Sequence, residues 1–143
     1  MKFTDIYFDY KNRYPDYLIF YRTGNFYTIL GNDCILINQI FSYKILENNG
    51  LLRIGFPVAS LQKIINVIHD KKNNYILIEK EEGIVKIKYR KKYKENNYPT
   101  LDVPELYKTR NQRIFKIYNY LKEHIFDNNM DTILQQIEDI YER

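Results

Sequence analysis

The sequence predicts an α+β fold, in which a mixed sheet of roughly five strands is flanked by helices and followed by a C-terminal helical hairpin. Three observations lead to this prediction. Short apolar runs are joined by tight-turn pairs such as Asn49-Gly50 and Glu82-Gly83. Other segments repeat apolar residues every three or four positions, which is typical of amphipathic helices. A polar stretch with two prolines then separates this region from a purely helical end.

The N-terminal region alternates helical and extended patterns. Its strands are bounded by turn residues, and its helices carry one apolar face each. In chain order, we predict a helix at 4–13, strands at 17–21 and 26–30, a helix at 34–41 capped by Asn32-Asp33, strands at 42–46 and 51–54, a helix at 61–70, and strands at 74–79 and 84–89.

The segment 95–104 is the predicted boundary between domains. We therefore predict an α/β domain over residues 1–98 and a helical hairpin over residues 99–143, with helices at 105–126 and 131–141. Each helix carries an isoleucine-rich stripe. The stripes leave two roles possible for the hairpin. It can either dock on the preceding domain or form a homodimer.

Composition limits the class of protein. Of 143 residues, 22 are Lys or Arg and 18 are Asp or Glu, and the formal charge of +4 mildly favours an anionic partner. The N-terminus lacks a signal-peptide core and no segment is apolar enough to span a membrane, so we expect a soluble, cytoplasmic protein. A single cysteine, Cys34, excludes an internal disulfide, and no Cys/His spacing indicates a metal site.

Catalysis is not expected. Cys34 falls in a predicted helix without a nearby histidine, so a core role fits it better than that of a nucleophile. His69 lies at a helix end, where it can offset the helix dipole. His124 has no evident partner in the sequence. We predict no catalytic residues, no cofactor and no metal.

The turn at Gly24-Asn25 presents Phe26 as the chain enters a strand. The ring can either fill the core or project outward as a wedge, and the residues alone leave both possibilities open.

A basic segment follows the second predicted hairpin. It contains Tyr89 and Tyr93 but no acidic residue between its first and last cation, and its cations are Lys86, Lys88, Arg90, Lys91, Lys92 and Lys94. Cations interleaved with aromatic residues are typical of nucleic-acid surfaces. The alternative is an edge strand that lysines protect against aggregation. We expect Lys86, Lys88 and Arg90 to share one face of the strand.

Several motifs, in order, resemble the N-terminal mismatch-recognition domain of the bacterial MutS family, over about residues 7–85. The family motif of arginine, a hydrophobic residue and Gly-Asp-Phe-Tyr-Glu stands here as Arg22-Thr23-Gly24-Asn25-Phe26-Tyr27-Thr28. The family's Lys-x-x-Tyr-Pro-Asp is matched at 11–16, and its Gly-Phe-Pro is matched at 55–57. GNDC at 31–34 stands where the family has a short acidic segment. Glu79-Lys80 stands where the family has Glu-Gln.

The resemblance implies a stand-alone module that binds double-stranded DNA. In the family, the motif phenylalanine stacks on a mispaired base and the following glutamate hydrogen-bonds it, so Phe26 would be the wedge. Thr28 replaces the glutamate and Asn25 the aspartate, which puts base-selective readout in doubt. With Arg53 and the basic segment, these residues form the predicted DNA-binding set. The chain has no phosphate-binding loop, so we expect no ATP hydrolysis.

Two functions follow as hypotheses. The first is a non-catalytic DNA-binding module that uses Phe26 near the duplex and the basic segment on phosphates. The second is a protein-interaction or decoy module that keeps the MutS domain I fold without mismatch readout, and its main support is Thr28.

Overall fold

The computed structural model describes residues 2–96, 98 and 103–142. The chain forms two compact units, Met1–Leu101 and Asp102–Arg143. The predicted boundary after residue 98 adjoins residues 99–102, which lie outside the described residues, and it stays a prediction. The elements are α1 (Phe3–Arg13), β1 (Leu18–Thr23), β2 (Phe26–Leu30), α2 (Asp33–Phe41), β3 (Leu46–Asn48), β4 (Leu51–Pro57), a 3-10 turn (Val58–Ser60), α3 (Leu61–Asp70), β5 (Tyr75–Glu81), β6 (Ile84–Lys91), α4 (Val103–Glu123) and α5 (Met130–Tyr141).

The first unit is built on one six-stranded mixed sheet in the order β3-β4-β2-β1-β5-β6. The β1–β5 pair is parallel, and the other neighbouring pairs are antiparallel. This architecture confirms the predicted α+β, MutS domain I-like fold class. The sheet has one more strand than the roughly five that we predicted.

The turn residues of two hairpins explain why these hairpins form. Asn49 and Gly50 have φ angles of 53° and 84°, and Glu82 and Gly83 have φ angles of 51° and 80°. Two consecutive positive φ angles are what a type I′ turn needs, and this turn matches the twist of the flanking strands. The first hairpin is nevertheless shifted from its predicted position, because residues 42–45 do not pair and β3 covers only Leu46–Asn48.

One face of the sheet packs against α1. Tyr7 and Tyr10 of this helix are buried in a cluster with the strand residues Ile19, Tyr21, Leu30, Ile76 and Ile78. Phe3 adds a ring contact with Tyr21, at 4.5 Å between ring centroids. Burial of these apolar side chains is the main stabilising term for this layer.

The opposite face of the sheet carries an aromatic cluster. The Phe56 ring lies 5.9 Å from Phe20, 5.6 Å from Tyr27 and 6.3 Å from Tyr43, measured between ring centroids. Aromatic pairs at these separations add to the stabilisation from area burial.

α2 contacts β2 and β4. Together with α3, it contributes the fully buried residues Ile37, Ile64 and Ile68.

The second unit consists of α4 and α5. Met130, at the start of α5, is buried. It lines a cavity of about 240 Å³ together with Tyr118, Leu121 and Lys122 of α4, Leu134 of α5 and Ile125 of the connection between them. The helices extend close to their predicted ranges. In the described part of the chain, no helix is both long enough and apolar enough to cross a membrane.

Candidate nucleic-acid interface

The β1–β2 turn is short and well fixed. Thr23 pairs directly with Phe26, which leaves Gly24 and Asn25 as the turn residues. Gly24 has a φ of +61° and Asn25 does not have a positive φ, an arrangement that fits a type II′ turn. The Arg22 Nε donates a hydrogen bond to the Gly24 carbonyl (3.1 Å). The Val58 amide donates to the Asn25 carbonyl (2.9 Å), so the turn is tied to the 3-10 turn that follows β4.

Phe26 presents its ring to solvent at this turn. The residue is 53% exposed, whereas the next four residues of β2 are buried. Its backbone pairs with Thr23 on one side and Pro57 on the other, and both of these residues are also exposed. An exposed aromatic ring on a backbone held from both sides can contact a ligand with little loss of chain entropy.

Thr28 and the other predicted residues around Phe26 differ in exposure. Thr28 is only 2% exposed, because it lies in the centre of the sheet between Tyr21 and Gly55. Its hydroxyl is therefore not presented where a base could reach it. Asn25 is exposed in the turn. Arg53 is exposed on β4, opposite Leu30, and shares the α1 face of the sheet with Phe26 and Thr28.

Asp33 forms a buried polar hub rather than the helix cap that we predicted. Its Oδ2 accepts hydrogen bonds from the Tyr7 hydroxyl (2.8 Å) and the Ile19 amide (3.0 Å). Its Oδ1 accepts from the Lys11 Nζ (2.7 Å) and the Tyr98 hydroxyl (2.6 Å). The N-cap position of α2 is Asn32, which makes no side-chain capping hydrogen bond. The capping prediction was therefore wrong: the carboxylate is fully buried and is used instead to join α1, β1, α2 and Tyr98.

The hub gives a structural role to two of the motifs that resemble MutS. Lys11 begins the 11–16 motif and Asp33 belongs to the 31–34 motif. The Lys11 Nζ also donates to the Tyr17 carbonyl (2.7 Å) and lies 4.2 Å from the centroid of the Tyr98 ring. Burial, followed by the Asp33 charge, raises the pKa of Tyr7 well above its usual value, and the same two causes raise the pKa of Tyr98.

A β-bulge divides the basic segment between the two faces of the sheet. Leu77 pairs with Tyr89 but Ile78 pairs with Ile87, so Lys88 is an extra residue in β6. Arg90 then lies opposite Ile76, on the α1 face, with its guanidinium 5.7 Å from the Tyr14 ring centroid. Lys86 lies opposite Glu79, on the other face. The expectation that Lys86, Lys88 and Arg90 share a face was therefore wrong.

Acidic neighbours reduce the positive charge of the basic segment. The Lys88 Nζ forms ion pairs with Glu79 (3.5 Å) and, at shorter range, with Glu81. This contact lowers the pKa of Glu81 and raises the pKa of Lys88. Lys88 is thus partly neutralised by its own hairpin and has less charge to offer a phosphate.

Distance also separates the basic segment from Phe26. Three strand spacings lie between β2 and β6, which amounts to about 15 Å. Lys91 pairs with Tyr75 and Tyr75 with Leu18, so Lys91 lies at the end of the sheet opposite the Thr23–Phe26 pair, about 17 Å further along the strands. Lys86 is at the near end. Lys92 and Lys94 follow Lys91 beyond the far end of β6.

Lys80 is a cation near Phe26 that our sequence analysis did not assign to the site. It is exposed on β5, and with Thr23 and Gly24 it lines an open cleft of about 450 Å³. Arg22 and Glu79 line the same cleft and are 3.9 Å apart. Only the parallel β1–β5 pairing brings Lys80 next to the turn, and such long-range pairing cannot be read from local patterns.

Cys34 is a core residue in the structure. Cys34 is fully buried, its thiol donates to the Ile29 carbonyl (3.2 Å), and burial raises the pKa of the thiol to about 12. The reactive thiolate form is therefore disfavoured at neutral pH. Among the residues that the structure describes, no group of three or more His, Cys, Asp or Glu side chains is arranged to hold a metal ion.

Comparison with known protein families gives a match that covers most of the first unit. The family model for MutS domain I matches residues 1–94 of the chain. The matched region includes the β1–β2 turn, the Asp33 hub apart from Tyr98, and all of the sheet.

Curated relatives also match the N-terminal region of the chain. A DNA mismatch repair protein MutS from Leuconostoc mesenteroides is 26% identical over 81 residues, which is 53% of this chain and 10% of that protein. A DNA mismatch repair protein MutS from Borreliella afzelii is 29% identical over 68 residues, which is 46% of this chain and 8% of that protein. The match thus spans a tenth or less of the length of these relatives.

Proposed function

The chain belongs to the MutS domain I family, and from this membership we propose that it is a non-catalytic DNA-binding module in which Phe26 is a base-stacking wedge. The observation that carries the proposal is the exposed Phe26 ring on a fixed two-residue turn. The proposed partner is double-stranded DNA that is mispaired or easily kinked. The proposal includes no cofactor and places the protein in the cytoplasm.

The physical basis is the cost of unstacking DNA. An apolar wedge that enters between base pairs opens a step and bends the duplex, and the bend allows more protein surface to contact the backbone. This cost is lowest where bases are mispaired or where the step is already flexible. Phe26 therefore favours weak points in a duplex even without reading the identity of a base.

The burial of Thr28 limits the kind of recognition that we propose. A base-specific contact needs a hydrogen-bonding group that the base can reach, and Thr28 is enclosed in the sheet. We therefore propose that the module responds to the deformability of the duplex and does not distinguish one mispair from another.

Phosphate contacts supply the remaining affinity. The proposed near cation is Lys80, which lines the cleft beside the Phe26 turn. Arg53 lies on the Phe26 face but further along β4, and Lys86 lies at the Phe26 end of the sheet but on its other face, so both are proposed as secondary contacts. Lys91, Lys92 and Lys94 are further away and would act on a longer duplex or as a general attraction. Affinity that depends on phosphates falls steeply as salt increases.

The test measures binding of the full chain to fluorescent duplexes at two salt concentrations. Matched, mispaired and single-stranded DNA are compared for the wild type and for Phe26→Ala. Removal of one stacked ring should weaken binding to the mispaired duplex by about tenfold and change binding to the matched duplex much less. The matched control is Leu46→Ala, at a residue that is 57% exposed on the edge strand β3, and it should bind as the wild type does. Equal binding of Phe26→Ala to every duplex contradicts the wedge role.

The alternative is a protein-interaction or decoy module. Two observations favour it: Thr28 is buried, and many apolar side chains of α4 and α5 are exposed. A second copy of the chain is one partner that these helices can accept. A complete lack of DNA binding at low salt, together with self-association through the helices, would support this alternative over the wedge.

A further inference from the structure

The second unit leaves a large apolar surface uncovered. Ile114 is 63% exposed in α4 and Ile140 is 67% exposed in α5. The exposed apolar side chains of the two helices are Tyr107, Ile114, Phe115, Ile117, Tyr118, Tyr120, Leu134, Ile137, Ile140 and Tyr141. A soluble monomer rarely exposes so many large apolar residues in one small unit.

The spacing on α4 is that of a helix-packing seam. Tyr107, Asn111, Ile114, Tyr118, Leu121 and Ile125 follow one another at alternating steps of four and three residues. This repeat places them on one stripe, as in the a and d positions of a coiled coil. Tyr118, Leu121 and Ile125, the last of which follows the end of α4, line the cavity with Met130 and Leu134 of α5, whereas Tyr107 and Ile114 do not line it. The stripe therefore extends beyond this cavity.

The exposed apolar area is sufficient for a dimer. A fully buried aromatic side chain contributes about 150–250 Å². Five of the ten residues are aromatic, so these half-exposed side chains alone present on the order of 500 Å² per protomer, and the five isoleucine and leucine side chains add to this area. A stable interface of standard size needs about 800 Å² per partner.

The two helices have opposite charge. α4 contains the cations Lys108, Arg110, Arg113, Lys116 and Lys122 and the acids Glu105 and Glu123, a net charge of +3. α5 contains the acids Asp131, Glu138 and Asp139 and no cation, a net charge of −3. In a two-fold symmetric dimer, each surface meets its complement on the other copy. The charges favour an arrangement in which α4 faces α5 of the partner.

We propose that the second unit is a homodimerisation module in which the basic α4 of one protomer packs against the acidic α5 of its partner. The apolar stripes supply the affinity, and the opposite charges select the α4–α5 pairing over α4–α4 or α5–α5 pairing. This inference does not depend on DNA binding.

The first experiment measures the mass of the full chain by sedimentation equilibrium over a range of concentrations. The wild type should be a dimer. Ile114→Asp, which places a charge on the exposed stripe, should be monomeric, with unchanged helical content by circular dichroism. Because the residue is exposed within its own protomer, this change should not unfold the chain. A wild type that stays monomeric at all concentrations overturns the proposal, and so does an Ile114→Asp variant that remains a dimer.

The second experiment reverses charge on one helix at a time. Variant one carries Lys108→Glu and Arg110→Glu, which change the net charge of α4 from +3 to −1. Variant two carries Glu138→Lys and Asp139→Lys, which change the net charge of α5 from −3 to +1. Each variant alone places like charges together in both halves of the dimer. Its self-association should weaken by at least about tenfold.

Mixing the two variants distinguishes pairing between chains from pairing within a chain. In a mixed dimer, each α4 meets an α5 of opposite charge, so an equimolar mixture should associate as the wild type does. If the charges act only within one chain, the mixture stays as weak as its components, and the intermolecular pairing is wrong. Association that none of the charge reversals affects also overturns the proposal, because the dimer must then use another surface, such as the exposed edge strand β6.

Discussion

The Asp33 hub and the Phe26 turn both contain motif residues of the same family, but they differ in burial and in the number of contacts that their side chains make. Asp33 is fully buried, and its two oxygens accept four hydrogen bonds from separate elements of the fold. Phe26 is more than half exposed, and none of the described ring contacts involves it. Motif residues can therefore identify a family because they hold the fold together or because they contact a ligand. The two regions should respond to mutation in opposite ways.

The largest expected effect is on stability, at the hub. Asp33→Ala removes the acceptor for Tyr7, Lys11, Tyr98 and the Ile19 amide and leaves a largely buried ammonium without its counter-charge. Loss of one partner of a buried ion pair costs about 3–5 kcal/mol. Urea denaturation of the full chain, followed by circular dichroism, should show a decrease of this size in the free energy of unfolding.

The control for Asp33 is an acid in an exposed ion pair. Asp9 lies 3.1 Å from Arg13, and both side chains are more than half exposed. Asp9→Ala should lower the free energy of unfolding by less than about 1 kcal/mol. Similar losses from Asp9→Ala and Asp33→Ala would show that the hub is not the centre of stability that its geometry indicates.

A smaller effect on stability, dependent on pH, is expected from Tyr98. Burial and the Asp33 charge raise its pKa in the folded state, whereas an unfolded tyrosine ionises near its usual value of about 10. The stabilisation is thus complete below pH of about 10 and is lost as pH rises above that value. Tyr98→Phe should cost about 1–2 kcal/mol at neutral pH, since it removes a hydrogen bond to a buried charge.

Above a pH of about 10, the free energy of unfolding should also decrease less steeply with pH in Tyr98→Phe than in the wild type. Urea midpoints at pH 8, 10 and 11 measure both effects. Tyr7 remains in the variant and its pKa is raised in the same direction, so part of the alkaline decrease should persist. If stability depends on pH with the same slope in the variant and the wild type, the pKa of Tyr98 is the same in the folded and unfolded states.

At the turn, the expected effect on stability is smaller still. Gly24 has a φ of +61°, and a Cβ added there would meet no atom within 4 Å. Gly24→Ala should therefore cost only the strain of a positive φ, about 1 kcal/mol. Gly55→Ala is the matched control, because its φ is not in the left-handed region and its added Cβ would lie 3.9 Å from the Tyr27 carbonyl oxygen. The free energy of unfolding of Gly55→Ala should lie within about 0.5 kcal/mol of the wild-type value. An equal loss of stability at both glycines would argue against backbone strain at Gly24.

The fold could be predicted from the sequence where local rules decide it. Asn49-Gly50 and Glu82-Gly83 adopt the positive φ angles that their residue types allow, and both hairpins form. The apolar stripes of α3, α4 and α5 gave helices near their predicted ranges. The strand at 42–46 was misplaced because apolar residues occur both in strands and in buried connections: Tyr43 packs on Phe56 without strand pairing.

The site was less predictable because it depends on pairing between distant segments. A bulge at Lys88 moves Arg90 to the other face of β6, and alternation along the sequence gives no sign of it. The approach of Lys80 to the turn and the separation of Lys91 from Phe26 both depend on strand order. The role of Asp33 was missed because a carboxylate at the start of a helix has the same local pattern whether it caps the helix or joins a buried network.

The smallest expected effect concerns the charge near the turn. Lys80 lines the cleft beside Thr23 and Gly24, whereas Lys92 lies beyond the far end of β6, and both lysines are exposed. If Phe26 is the centre of the interface, Lys80→Ala should weaken binding to a short mispaired duplex centred on Phe26 by about threefold to tenfold and should lower the salt dependence by about one phosphate contact. Lys92→Ala removes the same charge and should change binding to the short duplex less, with its effect growing on longer duplexes. Because both residues are exposed lysines, neither change should alter the free energy of unfolding by more than about 0.5 kcal/mol. Equal effects of the two substitutions on the short duplex would mean that the DNA follows the edge of the sheet and is not centred on the turn.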